Sequence, residues 1–93
     1  MNNAKIVITD DEKIVTSAFK TLLKVEGYKD VNCFNNPVEA VEFLKTNEPD
    51  IIISDFLMPE MNGLEFLRKA KELYPEVSMI LLTGYADKEN AIK

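Results

Sequence analysis

Three acidic side chains follow short apolar runs of the sequence, in positions where they could share one site. Asp10 and Asp11 come directly after the β-branched run at 4–9, and Asp55 ends the isoleucine-rich run at 50–55. Both runs have the length and composition of strands that are buried in a parallel sheet. Because open α/β sheets bind ligands at the carboxyl ends of their strands, we expect these carboxylates to converge there.

Converging carboxylates need a counter-charge. Three of them within a few ångströms repel one another unless one is protonated or a cation lies among them. Oxygen ligands with an open coordination position suit Mg²⁺, which keeps several waters and favours phosphate oxygens. Thr83, at the end of a later apolar run, would add a hydroxyl at the same edge. A carboxylate nucleophile, a hard cation and a hydroxyl together suit phosphoryl transfer onto the carboxylate.

The elements that must position these residues alternate strictly between strand and helix. A ferredoxin-like domain would need two strands without a helix between them, and no such pair is visible. Strict alternation with short connections indicates right-handed crossovers and a doubly wound parallel α/β sheet, in which the flavodoxin-like order makes the first and third strands neighbours. We predict strands at 4–9, 30–34, 50–55 and 77–83, and helices at about 12–26, 37–46, 63–73 and 86–93.

Capping residues and apolar stripes define the ends and the inner faces of the helices. Asp11 is placed to cap the first helix, and Gly27 to end it in the left-handed conformation. Asn36 caps the second helix, with Pro37 in the first helical position. The residues expected on the buried faces are Ile14, Val15, Ala18, Phe19, Leu22 and Leu23, then Val38, Val41 and Leu44, then Leu64, Leu67 and Ala70, with Phe66 at a margin.

The composition excludes several classes of protein. The chain has 93 residues and is 46% hydrophobic, which indicates one small folded domain over 1–93. An excess of 16 acidic over 11 basic residues argues against direct nucleic-acid binding. No apolar run approaches the ~18 residues of a membrane span, and the N-terminus has no signal-peptide pattern. A single cysteine, Cys33, excludes an internal disulfide and fits a cytoplasmic location.

Three segments resemble the receiver domains of two-component response regulators, of the kind found in chemotaxis regulators. They are Asp10-Asp11, Asp55-Phe56-Leu57-Met58-Pro59 with Gly63, and Leu82-Thr83-Gly84. The order and spacing of the predicted elements also resemble that family over all 93 residues. The run Asp-x-x-Met-Pro-x-Met-x-Gly, in a strand–loop–helix context, is the most specific part of the likeness.

The resemblance implies a role for each residue at the sheet edge. Asp55 would accept a phosphoryl group from a histidine kinase or a phosphotransfer protein. Asp10, Asp11, Asp55 and the backbone carbonyl of Leu57 would hold Mg²⁺. Thr83 would turn its hydroxyl toward the phosphoryl group and so switch a fused or separate output domain. Such a domain is a signalling switch that catalyses only its own phosphorylation and dephosphorylation.

The sequence also departs from the family. Its members carry a lysine and an aromatic switch residue on a fifth strand, followed by a fifth helix, and this chain stops before them; Lys88 and Lys93 fall in the predicted fourth helix. We therefore expect a sheet of order 2-1-3-4 whose fourth strand, 77–82, is an exposed edge. We expect the chain to associate through that edge or to be only marginally folded. Leu57 cannot orient an attacking water, so we also expect slow self-hydrolysis.

Other functions are open from the residues alone. A protein-interaction module that works without phosphorylation could keep the acidic site as a relic. A phosphatase of the haloacid dehalogenase type also uses an Asp nucleophile, but it needs a second carboxylate where Leu57 stands. A flavodoxin would need a hydroxyl- and glycine-rich loop after the first strand, where Asp10, Asp11 and Glu12 would repel the phosphate.

Overall fold

Four parallel strands and three helices make up the part of the chain that the computed structural model describes, residues 3–58 and 60–82. The predicted end of the fourth strand at Thr83 and the predicted helix at 86–93 lie outside these residues. The strands are β1 Lys5–Thr9, β2 Asp30–Phe34, β3 Ile51–Asp55 and β4 Ser78–Leu82, and the helices are α1 Lys13–Val25, α2 Pro37–Leu44 and α3 Gly63–Leu73.

The sheet has the order β2-β1-β3-β4, and every neighbouring pair is parallel. This confirms the predicted doubly wound, flavodoxin-like arrangement. The register places Ile8 between Cys33 and Ile53, and Asp55 opposite Leu82. Within the described residues β4 is therefore an edge of the sheet. Because β1 and β3 are neighbours, the acidic residues at their carboxyl ends lie side by side.

Alternate residues of each strand pack into two separate apolar layers, as a parallel strand buried on both faces requires. Val7 and Ile52 are fully buried in the layer that includes residues of α2 and α3. Ile8 and Ile53 belong to the layer on the other face, which packs against α1. The helices thus cover both faces of the sheet. Among the described residues, no helix combines the length and apolar composition needed to cross a membrane.

The ends of α1 only partly follow the sequence prediction. Asp11 was predicted to cap this helix, but the capping position is Glu12, whose side chain makes no capping hydrogen bond. The prediction was wrong because Asp10 forms the local turn instead: its Oδ1 accepts the N–H of Glu12 at 2.9 Å. At the other end, Gly27 has φ 101°, which confirms the predicted left-handed residue.

The other two helices begin with capping asparagines, of which Asn36 was predicted and Asn62 was not. Asn36 Oδ1 accepts the N–H of Val38 at 2.8 Å, directly before Pro37. Asn62 Oδ1 accepts the N–H of Glu65 at 2.9 Å and so starts α3. These caps fix where both helices leave the carboxyl edge of the sheet.

The inner face of α1 is narrower than its apolar stripe. Phe19 and Leu23 pack against the sheet, and Thr16 is buried in the same row. Ile14 and Leu22 were predicted to be buried, but they are 81% and 63% exposed. The helix contacts the sheet along one row of i, i+3 and i+7 residues, so the neighbouring apolar row faces outward.

The faces of α2 and α3 are also rotated from the prediction. Gly63, Phe66 and Ala70 form the buried row of α3, whereas Leu64 is half-exposed. Phe66, predicted at a margin, is fully buried because Gly63 packs the start of α3 directly against β3. In α2 Val38, which was predicted to be buried, is likewise half-exposed, because the buried row of this helix is Pro37, Ala40 and Leu44.

Candidate functional site

Three carboxylates meet at the carboxyl edge of the sheet. One carboxylate oxygen from each of Asp10, Asp11 and Asp55 lies within 4.8 Å of the others. Asp10 and Asp11 directly follow β1, and Asp55 is the last residue of β3. The structure thus brings together the three acidic residues that the sequence placed at the strand ends. Their exposures differ: Asp10 is buried, Asp55 is half-buried and Asp11 is exposed.

Asp10 is the most deeply placed of the three, with 5% of its surface exposed. Burial raises the pKa of its carboxyl to about 6, and the N–H of Glu12 partly opposes this by bonding the ionised form. The negative charges of Asp55 and Asp11 raise the pKa further. At neutral pH this group is therefore ionised at a free-energy cost.

Asp55 is subject to the same effects. Burial is the main cause that raises the pKa of its carboxyl, and the charges of Asp11 and Glu12 add to it. The N–H of Phe56, which donates to Asp55 Oδ1 at 2.9 Å, lowers the pKa in opposition. In the described part of the chain, the charges that act on both carboxyls are acidic. The cluster is therefore short of positive charge.

The amide of Phe56 has two acceptors. It donates to Asp55 Oδ1 at 2.9 Å and also to the carbonyl of Leu82 at 3.1 Å. The second bond continues the pairing of β3 with β4 past the last paired residues. One N–H therefore connects the Asp55 carboxylate with the end of the edge strand.

The loop after β3 is closed by Gly63. The N–H of Gly63 donates to the carbonyl of Phe56 at 2.8 Å. A Cβ on Gly63 would lie 2.5 Å from the carbonyl oxygen of Asp55 and 2.9 Å from Phe56 Cα. Only glycine allows α3 to start this close to the backbone of Asp55. The glycine in the sequence motif is thus explained by a close approach of two backbones.

The loop also contains the remaining residues predicted for the site. Leu57 follows Asp55 by two residues and its side chain is 41% exposed. Its backbone N–H bonds the Asp55 carboxylate and so lowers the pKa of that group. Met58 turns inward and is buried in the layer with Phe66. Thr83, Tyr85 and Pro59 lie outside the described residues, and their predicted roles stay predictions.

One residue of the site was not found from the sequence. Asn35 donates from Nδ2 to the backbone carbonyl of Asp10 at 2.9 Å and to Thr16 Oγ1 at 3.2 Å. Its partner Asp10 is 25 positions away along the chain. The local sequence indicates only a loop residue before the capping Asn36, so no nearby pattern could have revealed this contact.

The donor set fits a hard divalent cation. Carboxylate oxygens of this number and separation are the ligands that Mg²⁺ prefers, and no sulfur or imidazole donor is part of the cluster. Burial and neighbouring acidic side chains raise the pKa values of Asp10 and Asp55, a condition that a bound cation relieves.

Comparison with known proteins gives the family. A family model described as the response regulator receiver domain matches residues 6–93. The chain belongs to this family.

Relatives of this receiver domain are found among curated proteins and among solved structures. It is 31% identical over 91 residues to an uncharacterized transcriptional regulatory protein, YhcZ, from Bacillus subtilis (strain 168), and the match covers 95% of this chain and 42% of that protein. The chain thus spans less than half the length of this curated relative. A receiver domain protein from Clostridium thermocellum has 34% identity and a TM-score of 0.82, over 96% of this chain and 71% of that chain.

A second solved structure, a two-component transcriptional regulator AraC from Clostridium phytofermentans ISDg, has 27% identity and a TM-score of 0.82. It matches 95% of this chain and 73% of that chain. These likenesses confirm the predicted family and fold. Membership of the receiver family excludes the two alternative families considered from the sequence, the haloacid dehalogenase phosphatases and the flavodoxins.

Proposed function

We propose that this receiver domain accepts a phosphoryl group on Asp55 from a histidine kinase or a phosphotransfer protein. The observation that carries the proposal is the meeting of three carboxylates within 4.8 Å at the ends of β1 and β3. A nucleophile must be reachable, and Asp55 is half-buried whereas Asp10 is almost fully covered. Asp11 is reachable too, but no backbone N–H of the described residues donates to its carboxylate as that of Phe56 does to Asp55 Oδ1.

The three acidic residues also support a role for Mg²⁺. We assign its ligands to the carboxylates of Asp10, Asp11 and Asp55 and to the backbone carbonyl of Leu57. When bound, the ion would supply the positive charge that the cluster lacks and that phosphoryl oxygens require. Domain 1–93 as a whole would act in the cytoplasm as a switch, and not as an enzyme on other substrates.

The transfer itself makes one bond and breaks one. An oxygen of the Asp55 carboxylate attacks phosphorus and forms a P–O bond, while the P–N bond to the donor histidine breaks and its electron pair stays on the imidazole. Asp55 must be ionised to attack, and the N–H of Phe56 favours that form. Gly63 holds the backbone of Asp55 in place during the step, since α3 packs directly on it.

The output follows from charge. The phosphoryl group carries about −1.5 to −2 charges at neutral pH and replaces the single negative charge of the Asp55 carboxylate. This change can shift a two-state surface toward a binding-competent form. We assign the switch hydroxyl to Thr83 and the output to a domain that is fused or separate. The chain has 16 acidic and 11 basic residues, which argues against direct binding of nucleic acid by this domain.

Phosphoryl uptake from a small donor tests the proposal. The purified chain is incubated with Mg²⁺ and acetyl phosphate, and its intact mass is measured. We expect the mass of one phosphoryl group on the wild type and on Asp50→Asn, a control at the opposite end of β3, and none on Asp55→Asn. A folded wild type without Asp55-dependent uptake would favour the interaction module that keeps the acidic site as a relic.

The edge of the sheet supports one further proposal about partners. β4 consists of Ser78-Met79-Ile80-Leu81-Leu82, without a charged residue, and Ile80 is 51% exposed. Within residues 3–58 and 60–82 no strand pairs with the outer side of β4, and uncharged edges of this kind recruit other strands. We propose that a second copy of the chain pairs with β4.

A further inference from the structure

We propose that Asn35 is a positioning residue for the acidic pair Asp10–Asp11. Asn35 lies between the last residue of β2 and the capping Asn36 of α2. Its side-chain amide reaches across to the end of β1, where it donates to the Asp10 carbonyl at 2.9 Å. The same nitrogen donates to Thr16 Oγ1 in α1 at 3.2 Å. One side chain thus connects three elements around the carboxylates.

The bond to the Asp10 carbonyl acts on both carboxylates. This carbonyl belongs to the peptide that joins Asp10 to Asp11, and a peptide is planar. The N–H of Asp10, on the preceding peptide, donates to the Phe34 carbonyl at 3.1 Å. With both peptides of Asp10 held, the direction in which its side chain leaves the backbone is set. Asp11 lies between the 10–11 peptide and the 11–12 peptide, whose N–H donates to Asp10 Oδ1 at 2.9 Å, so the direction of its side chain is set as well. Asn35 therefore influences how the carboxylates of Asp10 and Asp11 are oriented, although its bond is to the backbone and not to either carboxylate.

Thr16 completes the arrangement from the helix side. It is buried, and its hydroxyl donates to the Lys13 carbonyl at 3.1 Å while it accepts from Asn35. The first turn of α1 is therefore held at a fixed distance from the end of β1. An aspartate at position 35 could not replace the asparagine, because an ionised carboxylate donates no hydrogen bond.

The consequence for ligand binding rests on the proposed Mg²⁺ site. Residues that hold metal ligands in place commonly change metal affinity by about 10- to 100-fold when they are removed. Asn35 acts on the backbone of the ligand residues, so we expect the lower end, a loss of about tenfold in Mg²⁺ affinity.

The first test needs no metal. Backbone amide chemical shifts of the free protein are compared for the wild type, Asn35→Ala and Asn47→Ala. Asn47 is a matched control. It follows the C-terminal end of α2, and its Nδ2 also donates to a backbone carbonyl, that of Phe43, at 3.0 Å. We expect shifts at Asp11 and Glu12 in Asn35→Ala only. Equal shifts in both variants, or none in either, would overturn the positioning role.

The second test measures Mg²⁺ affinity by titration of the same shifts. We expect Asn35→Ala to lose about tenfold in Mg²⁺ affinity and Asn47→Ala to keep the wild-type affinity. The urea midpoints of the two variants should be similar, so that a difference in stability does not explain the difference in affinity. Thr16→Ser, which keeps the hydroxyl, should retain the affinity, and Thr16→Val should lose part of it; this pair also serves if Asn35→Ala does not fold. An unchanged affinity in Asn35→Ala contradicts the inference. A wild type that binds no Mg²⁺ refutes the metal site, while the first test still decides the role of Asn35.

Discussion

Gly63 lies directly against the backbone of Asp55, so close that a Cβ on the glycine would be 2.5 Å from the Asp55 carbonyl oxygen. Ser54 Oγ donates to the same carbonyl at 3.0 Å, and the N–H of Gly63 donates to the Phe56 carbonyl at 2.8 Å. The carboxylate of Asp55 therefore extends from a backbone segment that is held by contacts on several sides.

Gly63→Ala should disturb both stability and the site. The added methyl group forces α3 or β3 to move, an overpacking cost of about 1–3 kcal/mol in the free energy of unfolding. Urea denaturation measures this loss, and acetyl phosphate uptake should be slower. Gly27→Ala is the control. An alanine in this left-handed conformation should lower the free energy of unfolding by about 1 kcal/mol. Because Gly27 follows the C-terminal end of α1, the substitution should leave uptake unchanged. Wild-type stability and uptake in Gly63→Ala would contradict the close approach.

The pKa of Asp10 predicts a pH dependence of stability. Its pKa in the folded protein is about 6, above the ~3.9 of an unfolded chain. Below pH 4 the group is protonated in both states. Between these values the folded state keeps a proton that the unfolded state has released, so the free energy of unfolding falls as the pH rises. Above about pH 6 Asp10 is ionised in both states, and its burial lowers the free energy of unfolding by roughly 3 kcal/mol.

Asp10→Asn should therefore stabilise the metal-free protein at pH 7 by up to about 3 kcal/mol, and by little at pH 4. Chemical denaturation at both pH values, with a chelator present, measures the difference. An effect of the same size at pH 4 and pH 7 would show that burial of the Asp10 charge is not its cause.

Mg²⁺ should stabilise the wild type at neutral pH. A ligand present at ten times its Kd adds about 1.4 kcal/mol to the free energy of unfolding. Thermal melts in Mg²⁺ and in Na⁺ at equal ionic strength measure the gain. It should be reduced in Asp11→Asn and kept in Asp30→Asn, whose carboxylate pairs with Lys5 instead of the cluster. An equal gain in all three proteins would mean that the ion binds elsewhere.

Leu57→Asn should shorten the lifetime of the phosphorylated state. Leu57 is 41% exposed beside Asp55, and an amide there could orient a water for attack. We expect loss of phosphate to become several-fold faster, measured by intact mass over time after removal of the donor. Leu64→Asn, another exposed apolar residue next to the loop, should lose phosphate at the wild-type rate. No acceleration in Leu57→Asn would contradict a role for this position.

Ile80→Lys should reduce self-association through β4. A lysine on an edge strand opposes pairing with another edge. Light scattering at tens of micromolar should give a higher mean mass for the wild type than for Ile80→Lys, and Ile14→Lys on α1 should behave as the wild type. A monodisperse wild-type monomer would end the proposal of a paired edge.

The topology and the convergence of the acidic residues could be predicted from the sequence, since both follow from the alternation of strands and helices. Asp10 and Asp55 come together because parallel strands end at one edge. What could not be predicted depends on contacts that are distant in the sequence. The rotation of α3 follows from the close approach of Gly63 to the backbone of Asp55. Asp11 does not cap α1, because Asp10 accepts the N–H of Glu12 and forms the turn before the helix.

The outward-facing Ile14 gives the same lesson for α1. Its helix has more apolar positions than the sheet can cover, so periodicity alone does not select the inner row. Asn35 was invisible for another reason: a polar loop residue shows its partner only when the strand 25 positions earlier is in place.

The shared amide of Phe56 makes the site observable through a single proton. Its bonds to Asp55 Oδ1 and to the Leu82 carbonyl, at 2.9 and 3.1 Å, compete for the same hydrogen. A change of charge on the carboxylate alters one acceptor, and a separation of β4 from β3 removes the other. The hydrogen-exchange rate and the temperature coefficient of this proton therefore report on both events, without any label or added side chain.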